Sequence, residues 1–142
     1  MSTPIARVTA ARLAIREARP RRLTSVLLWA GQILLGALFI SLGLAKLNGG
    51  QVQEFSLIGA GQWFRYFVGA AELAGGIGLL TPWLAGLAAA GLAADMAGAT
   101  IINIAVLHSA AATATIALCA VFALLAYARR QQIKALWAAI RR

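Results

Sequence analysis

Arg65 and Glu72 lie in the stretch GQWFRYFVGAAELAGGIGLL, Gly61 to Leu80, which otherwise holds mostly apolar and small residues. They are seven positions apart, so a helix carries both on one face. Lys46 precedes them and Asp95 follows, each beside a long apolar run. A set of this kind can donate hydrogen bonds from Lys46 or Arg65 and pass a proton through Glu72, with Asp95 as a further relay. Trp63 and Tyr66 flank Arg65 and offer rings on which a flat group could stack. The same residues could equally form a polar clasp that fixes two helices against each other, and both readings stay open at this point.

Other chemistries lack their residues. Cys119 is the one cysteine, so the chain has no intramolecular disulfide, no Cys-x-x-Cys pair and no thiolate cluster. It reads as a small apolar filler. The one histidine, His108, cannot supply bis-histidine haem ligation, and it falls in a turn where it should be solvated. No metal site is expected. No Gly-x-Gly-x-x-Gly and no Ser/His/Asp set is visible, so no catalytic residues are assigned.

The elements that must position these residues follow from composition. The chain has 142 residues, 61% hydrophobic and 12% charged, with a mean hydropathy of +0.81. Soluble domains carry about a quarter charged residues, so half that share points to a core solvated by lipid. The net charge of +9 does not mark a nucleic-acid face. Eleven of the thirteen Lys and Arg lie at or before Arg22 or at or after Arg129, the other two being Lys46 and Arg65. Positive charge at the two ends of an apolar chain reports membrane topology instead.

Val26 to Ala45 is uncharged and long enough for a first span, about 30 Å of helix. Lys46 to Gly61 reads as a loop. A second span runs from about Gln62 to Leu80. Thr81 as an N-cap with Pro82 at the first helical position would begin a third, ending near Val106. "LHSA" turns the chain, and a fourth span covers about Ala112 to Ala128. Reading Leu73 to Ala94 as a single span would give three in all and put the basic ends on opposite sides. Both ends on the cytoplasmic side require an even number. The expectation is therefore an all-α integral membrane four-helix bundle with both termini cytoplasmic. Residues 1–24 form a flexible basic arm against anionic lipid, 25–128 the spanning domain and 129–142 a basic tail. The twin arginines before the first span suggest a signal peptide, but its apolar run is too long for one, so it reads as an uncleaved first helix.

Spans associate in lipid through small residues and polar contacts. Gly86, Ala90, Ala94 and Gly98 suggest the packing face of the third span. Ala71 with Gly75 and Ala74 with Gly78 suggest that of the second, and Ala37, Ser41 and Ala45 that of the first. Trp29, Trp63, Tyr66, Trp83, Tyr127 and Trp137 lie near span ends, as interfacial anchors do. Glu72 falls roughly 12 Å and Asp95 about 20 Å from the inner side. An ionised carboxylate facing lipid there costs about 3 kcal/mol or more, so each must face the interior, find a partner or stay protonated. Lys46 and Glu72 lean toward each other, yet these boundaries leave an axial gap of roughly 15 Å between them. A water chain, or Arg65 as a second cation, would have to close it.

The segments LFISLGLAKLNG, GAGQWFRYFVGAAELAGGIGLLTPWLAGLAAAGL and MAGATI together resemble the DoxX-like family of small four-helix bacterial membrane proteins. The matching positions include Gly43 and Lys46, the Gly-Gln-Trp-Phe-Arg-Tyr block, the Gly-x-x-Glu that ends at Glu72, and the Gly-x-x-Leu-Leu-x-Pro that closes the second span. The resemblance runs from about Leu28 to Arg130. Many relatives carry a His where this chain has Asn103, and Asp95 stands where a neutral residue is expected. The resemblance implies a place in the bacterial inner membrane and, by relatives that form the small subunit of a thiosulfate:quinone oxidoreductase or act with thiol and oxidant stress, a link to sulfur or thiol redox chemistry. Quinone is the implied ligand: Lys46 or Arg65 would donate to a carbonyl, Glu72 would relay a proton, and Trp63 or Tyr66 would stack. The chain has no intrinsic redox cofactor, so an oxidoreductase partner would supply the electrons. The alternative is a small transport or scaffold protein in which Glu72 and Asp95 mark a proton or solute path. The expected partners are the lipid bilayer, that oxidoreductase and a second copy in a homodimer, with no nucleic acid.

Overall fold

The structure, a computed structural model, describes the backbone from Pro4 to Arg141 and the side chains from Arg22 to Arg141. All elements among these residues are helices: α1 Pro4–Leu47, α2 Val52–Ile58, α3 Gln62–Leu80, α4 Ala85–Ala105, α5 Ala111–Ala128 and α6 Arg130–Ile140. The chain divides at Gly31 into two units, the first holding the N-terminal part of α1 and the second, from Gln32, holding everything else.

Three of the described helices are long and apolar enough to cross a membrane: Arg22–Leu47 within α1, then α4 and α5. The chain is thus a helical membrane protein. Helix α3 has the bounds expected for the second span but is not among these three, because Gln62, Arg65 and Glu72 dilute its apolar residues. The rival single span from Leu73 to Ala94 does not exist, since the chain leaves the helix after Leu80 and resumes at Ala85.

Three local expectations need correction. The N-terminal stretch expected to be a flexible arm is helical from Pro4. Pro4 suits a first helical position and the Ala, Arg and Leu that follow are good helix formers; the side chains expected to lie against anionic lipid fall outside the described residues. The expected loop after Lys46 contains α2. Gln51 at φ 62° and Gly59 at φ 75° bracket it in left-handed conformations, and Phe55 is its buried residue. Thr81 does not start α4. It closes α3, its hydroxyl donating back to the Ile77 carbonyl at 3.1 Å, and Pro82 to Leu84 form a turn before α4 begins.

The packing faces differ from those expected as well. On α1 the buried residues are Gln32, Gly36, Phe39, Gly43 and Lys46, while Ala37, Ser41 and Ala45 are exposed. On α3 they include Arg65, Gly69, Glu72, Gly76 and Leu79. Each set alternates steps of four and three, the spacing of a helix seam. A Cβ on Gly36 would stand 3.0 Å from the Gly76 carbonyl oxygen, and one on Gly43 would stand 2.6 Å from that of Gly69. The two helices therefore run antiparallel, backbone against backbone. Helix α4 buries Ala85, Gly86, Ala89, Leu92 and Met96. A Cβ on Gly98 would meet nothing within 4 Å, and Ala94 is exposed. Of the four-residue repeat expected on this helix only Gly86 is tightly packed, a Cβ there lying 2.9 Å from the Arg129 carbonyl oxygen.

Helix α4 packs most extensively on α5. Thr100 Oγ1 and Thr115 Oγ1 hydrogen-bond at 2.9 Å, and the half-buried Cys119 Sγ donates to the Ala93 carbonyl at 3.4 Å. The Phe39 and Phe122 rings meet edge to face with centroids 5.0 Å apart, which brings α5 onto α1.

Candidate functional site

The α1–α3 seam sets the site. Gly36 opposite Gly76 and Gly43 opposite Gly69 place Lys46 level with Arg65 and Glu72 level with Phe39. The two charged layers are then ~10 Å apart along the axis, with the side-chain-free Gly43–Gly69 layer between them. Lys46 leans toward the start of α1 and Glu72 toward the start of α3, which in antiparallel helices means toward each other. They meet. Lys46 Nζ donates to Glu72 Oε2 at 2.7 Å and Oε1 at 2.9 Å, and both residues are buried. This corrects the expected gap of 15 Å: depth estimated separately for each span ignores the register that the glycines impose. A Cβ on Gly69 would come within 3.0 Å of Lys46 Cβ, so the absence of a side chain there is what lets the lysine pass.

Arg65 does not bridge Lys46 and Glu72. It is 3% exposed, its Nε donates to Gln62 Oε1 at 2.8 Å, and its guanidinium lies over the Tyr66 ring at 4.3 Å. Its Nη1 is buried without a hydrogen-bond partner. Gln62 also donates to Ser56 Oγ at 3.2 Å and to the Val52 carbonyl at 3.3 Å, tying α2 to the start of α3.

A cavity of about 470 Å³ opens beside the Lys46–Glu72 pair, with walls from α1 to α5. Phe39, Phe55, Phe64, Phe67 and Met96 give it an apolar lining, and Lys46, Glu72, Asp95, Glu54 and Asn103 give it polar points. Asp95 Oδ2 is buried with no hydrogen-bond partner, and Asp95 also lines a smaller pocket of about 290 Å³ between α3 and α4. The expected stacking rings are elsewhere. Trp63 and Tyr66 are 66% and 48% exposed and line neither pocket, which suits interfacial anchors. The rings at the cavity are phenylalanines. Asn103, where a His was expected from the family pattern, does face the cavity.

Sequence reasoning passed over Gln32. It is fully buried, its Nε2 donates to the Leu79 carbonyl at 3.0 Å, and its Oε1 accepts from Arg129 Nη2 at 2.6 Å and Nε at 3.1 Å. This second clasp joins α1, the end of α3 and the α5–α6 junction. Its signal was present: Gln32 stands seven before Phe39 and fourteen before Lys46, on the same heptad face. His108 lies exposed in the α4–α5 turn at φ 46°.

Among the described residues no group of three or more His, Cys, Asp or Glu could hold a metal ion. The architecture is thus a tight glycine seam carrying one buried ion pair at the edge of an apolar cavity. No curated protein and no solved structure matches the chain. The sequence model of the DoxX-like family matches residues 30–128, the stretch that contains the seam, the ion pair and the cavity, and the chain therefore belongs to the DoxX-like family.

Proposed function

We propose that this chain is a quinone-interacting, non-catalytic membrane subunit of an oxidoreductase system linked to sulfur or thiol chemistry, in the bacterial inner membrane. Four spans with both termini cytoplasmic complete the reading. Helix α3 serves as the second span because Glu72 is turned inward and neutralised, so lipid does not meet its charge. The observation that carries the functional reading is the Lys46–Glu72 pair at the wall of a cavity large enough for a small ring ligand.

The residues fit a quinone head. Lys46 has three N–H donors and Glu72 engages two of its contacts, which leaves donor capacity for a carbonyl oxygen. When it holds a proton, Glu72 can pass it to an oxygen of the reduced quinone, and the carboxylate left behind is balanced by the Lys46 ammonium. Phe55, Phe64 and Phe67 exclude water and hold a flat ring. A bound quinone would supply the two-electron chemistry, and a partner protein would deliver the electrons.

Titration of the full chain in lipid nanodiscs with a short-chain benzoquinone tests this reading. Saturable binding should weaken at least tenfold in Glu72→Gln and Lys46→Met while helical content is unchanged. Wild-type protein that shows no saturable binding rejects it. A second reading, a small transport protein with an acidic proton or solute path, is favoured by a separate observation: Asp95, unpartnered at Oδ2, lines both cavities.

A further inference from the structure

The polar points on the larger cavity do not balance. Its lining includes one cation, Lys46, and three carboxylates, Glu54, Glu72 and Asp95. Lys46 is already engaged by both carboxylate oxygens of Glu72. Arg65, the other buried cation of the seam, is held by Gln62 and Tyr66 and is not on this wall. Asp95 is thus left with a buried oxygen that no donor answers. A buried carboxylate without a partner is costly, and more so in a membrane. The surrounding surface is of a particular kind: Phe55, Phe64 and Phe67 line it, with Met96 on the same helix as Asp95. Aromatic faces attract cations, best where water is excluded, and the Met96 thioether adds a polarisable apolar contact.

We infer that the cavity binds hydrophobic organic cations, with the Asp95 carboxylate answering the positive charge and the phenylalanine rings enclosing the apolar body. An inorganic cation has no apolar body to cover the ring surfaces, and a neutral apolar molecule would leave Asp95 unanswered. Glu54, on exposed α2 at the rim, adds attraction for the same sign of charge on the way in. The inference deepens the transport reading, on which it rests, and stands independently of the quinone role.

Tetraphenylphosphonium is the probe, measured by equilibrium dialysis against the purified full chain in nanodiscs, with neutral triphenylphosphine oxide as control. The wild-type chain should bind the cation saturably and the neutral compound at least tenfold more weakly. Asp95→Asn should lose at least tenfold in cation affinity, and Asp95→Glu should retain most of it. Gly98→Leu gives a check that leaves every charge in place: Gly98 lines the cavity and has open space for a side chain, so leucine should fill the cavity and block the cation. Equal binding of both probes, or unchanged affinity in either Asp95→Asn or Gly98→Leu, overturns the inference. Proton flux into proteoliposomes reports the acidic path separately. Flux that depends on Asp95 without any cation binding removes the ligand class proposed here while the path survives.

Discussion

Lys46 and Glu72 are worth more together than either is alone. Removing one partner of a buried pair leaves the other charged in an apolar setting, a loss of about 3–5 kcal/mol. Replacing both with apolar residues of similar size is close to neutral for stability. Lys46→Met should therefore lower the unfolding midpoint in a denaturant titration sharply, and Lys46→Met with Glu72→Leu should recover most of it. The double variant separates stability from binding. If the pair serves only as a clasp, every ligand response survives in it; if the pair holds a ligand, the protein is stable and the response is gone. A double variant as unstable as the single one would show that the charges do more for the fold than the pairing explains. Gln32 sits in a milder version of the same situation, since its partners are a backbone carbonyl and an arginine close to the end of α5. Interhelical hydrogen bonds in membranes contribute about 1–2 kcal/mol at most. Gln32→Leu should cost roughly that much in thermal scans, with quinone and cation binding unchanged because Gln32 does not line the larger cavity.

The α1–α3 pair is held by what four residues lack. Gly36, Gly43, Gly69 and Gly76 allow the backbones to touch, and any side chain there meets main-chain atoms that cannot yield. Overpacking costs about 1–3 kcal/mol where the surroundings can shift. Gly43→Ala, whose Cβ would lie 2.6 Å from the Gly69 carbonyl oxygen and 2.7 Å from the Leu73 nitrogen, should reach or exceed that range. Gly91→Ala makes the control, because a Cβ there has nothing within 4 Å. Guided unfolding in mixed micelles should show Gly43→Ala destabilised and Gly91→Ala equal to the natural chain. Equal stability of the two variants would mean that the seam does not set the register. Loosening the seam should also separate Lys46 from Glu72, so Gly43→Ala is expected to weaken quinone binding without altering any polar residue.

At the scale of the whole molecule, the proposed topology has four spans with both ends inside, and it is open to direct test. Reporter fusions placed after Trp83, at His108 and at Arg142 should report inside, outside and inside respectively. A fusion at Arg142 reporting outside would reduce the crossings to an odd number and remove the four-span reading. Purification from native membranes under mild detergent should carry along an oxidoreductase if the chain is its membrane subunit, and recovery of the chain alone across several detergents would count against that role. Trp63, Trp83, Tyr127 and Trp137 remain largely exposed, as residues do that contact the interface and not the interior.

Residue types and their order were enough to establish a lipid-solvated helical chain and the bounds of α3 and α5 to within a residue or so, and they marked Lys46, Arg65, Glu72 and Asp95 as the charges in or beside the apolar runs. These follow from composition, hydropathy over a span and local stop signals such as the Asn48-Gly49-Gly50 end of α1, all of which depend on neighbours in the chain. Which charges pair did not follow, nor which rings line the cavity. Helix faces in lipid are not marked by a hydrophobic stripe, so α1 offered Ala37, Ser41 and Ala45 as readily as Gly36 and Gly43. Only contact between two helices chooses the face, and the face fixes the register. In this protein the choice came from glycines that let two backbones meet, and that contact brought Lys46 to Glu72.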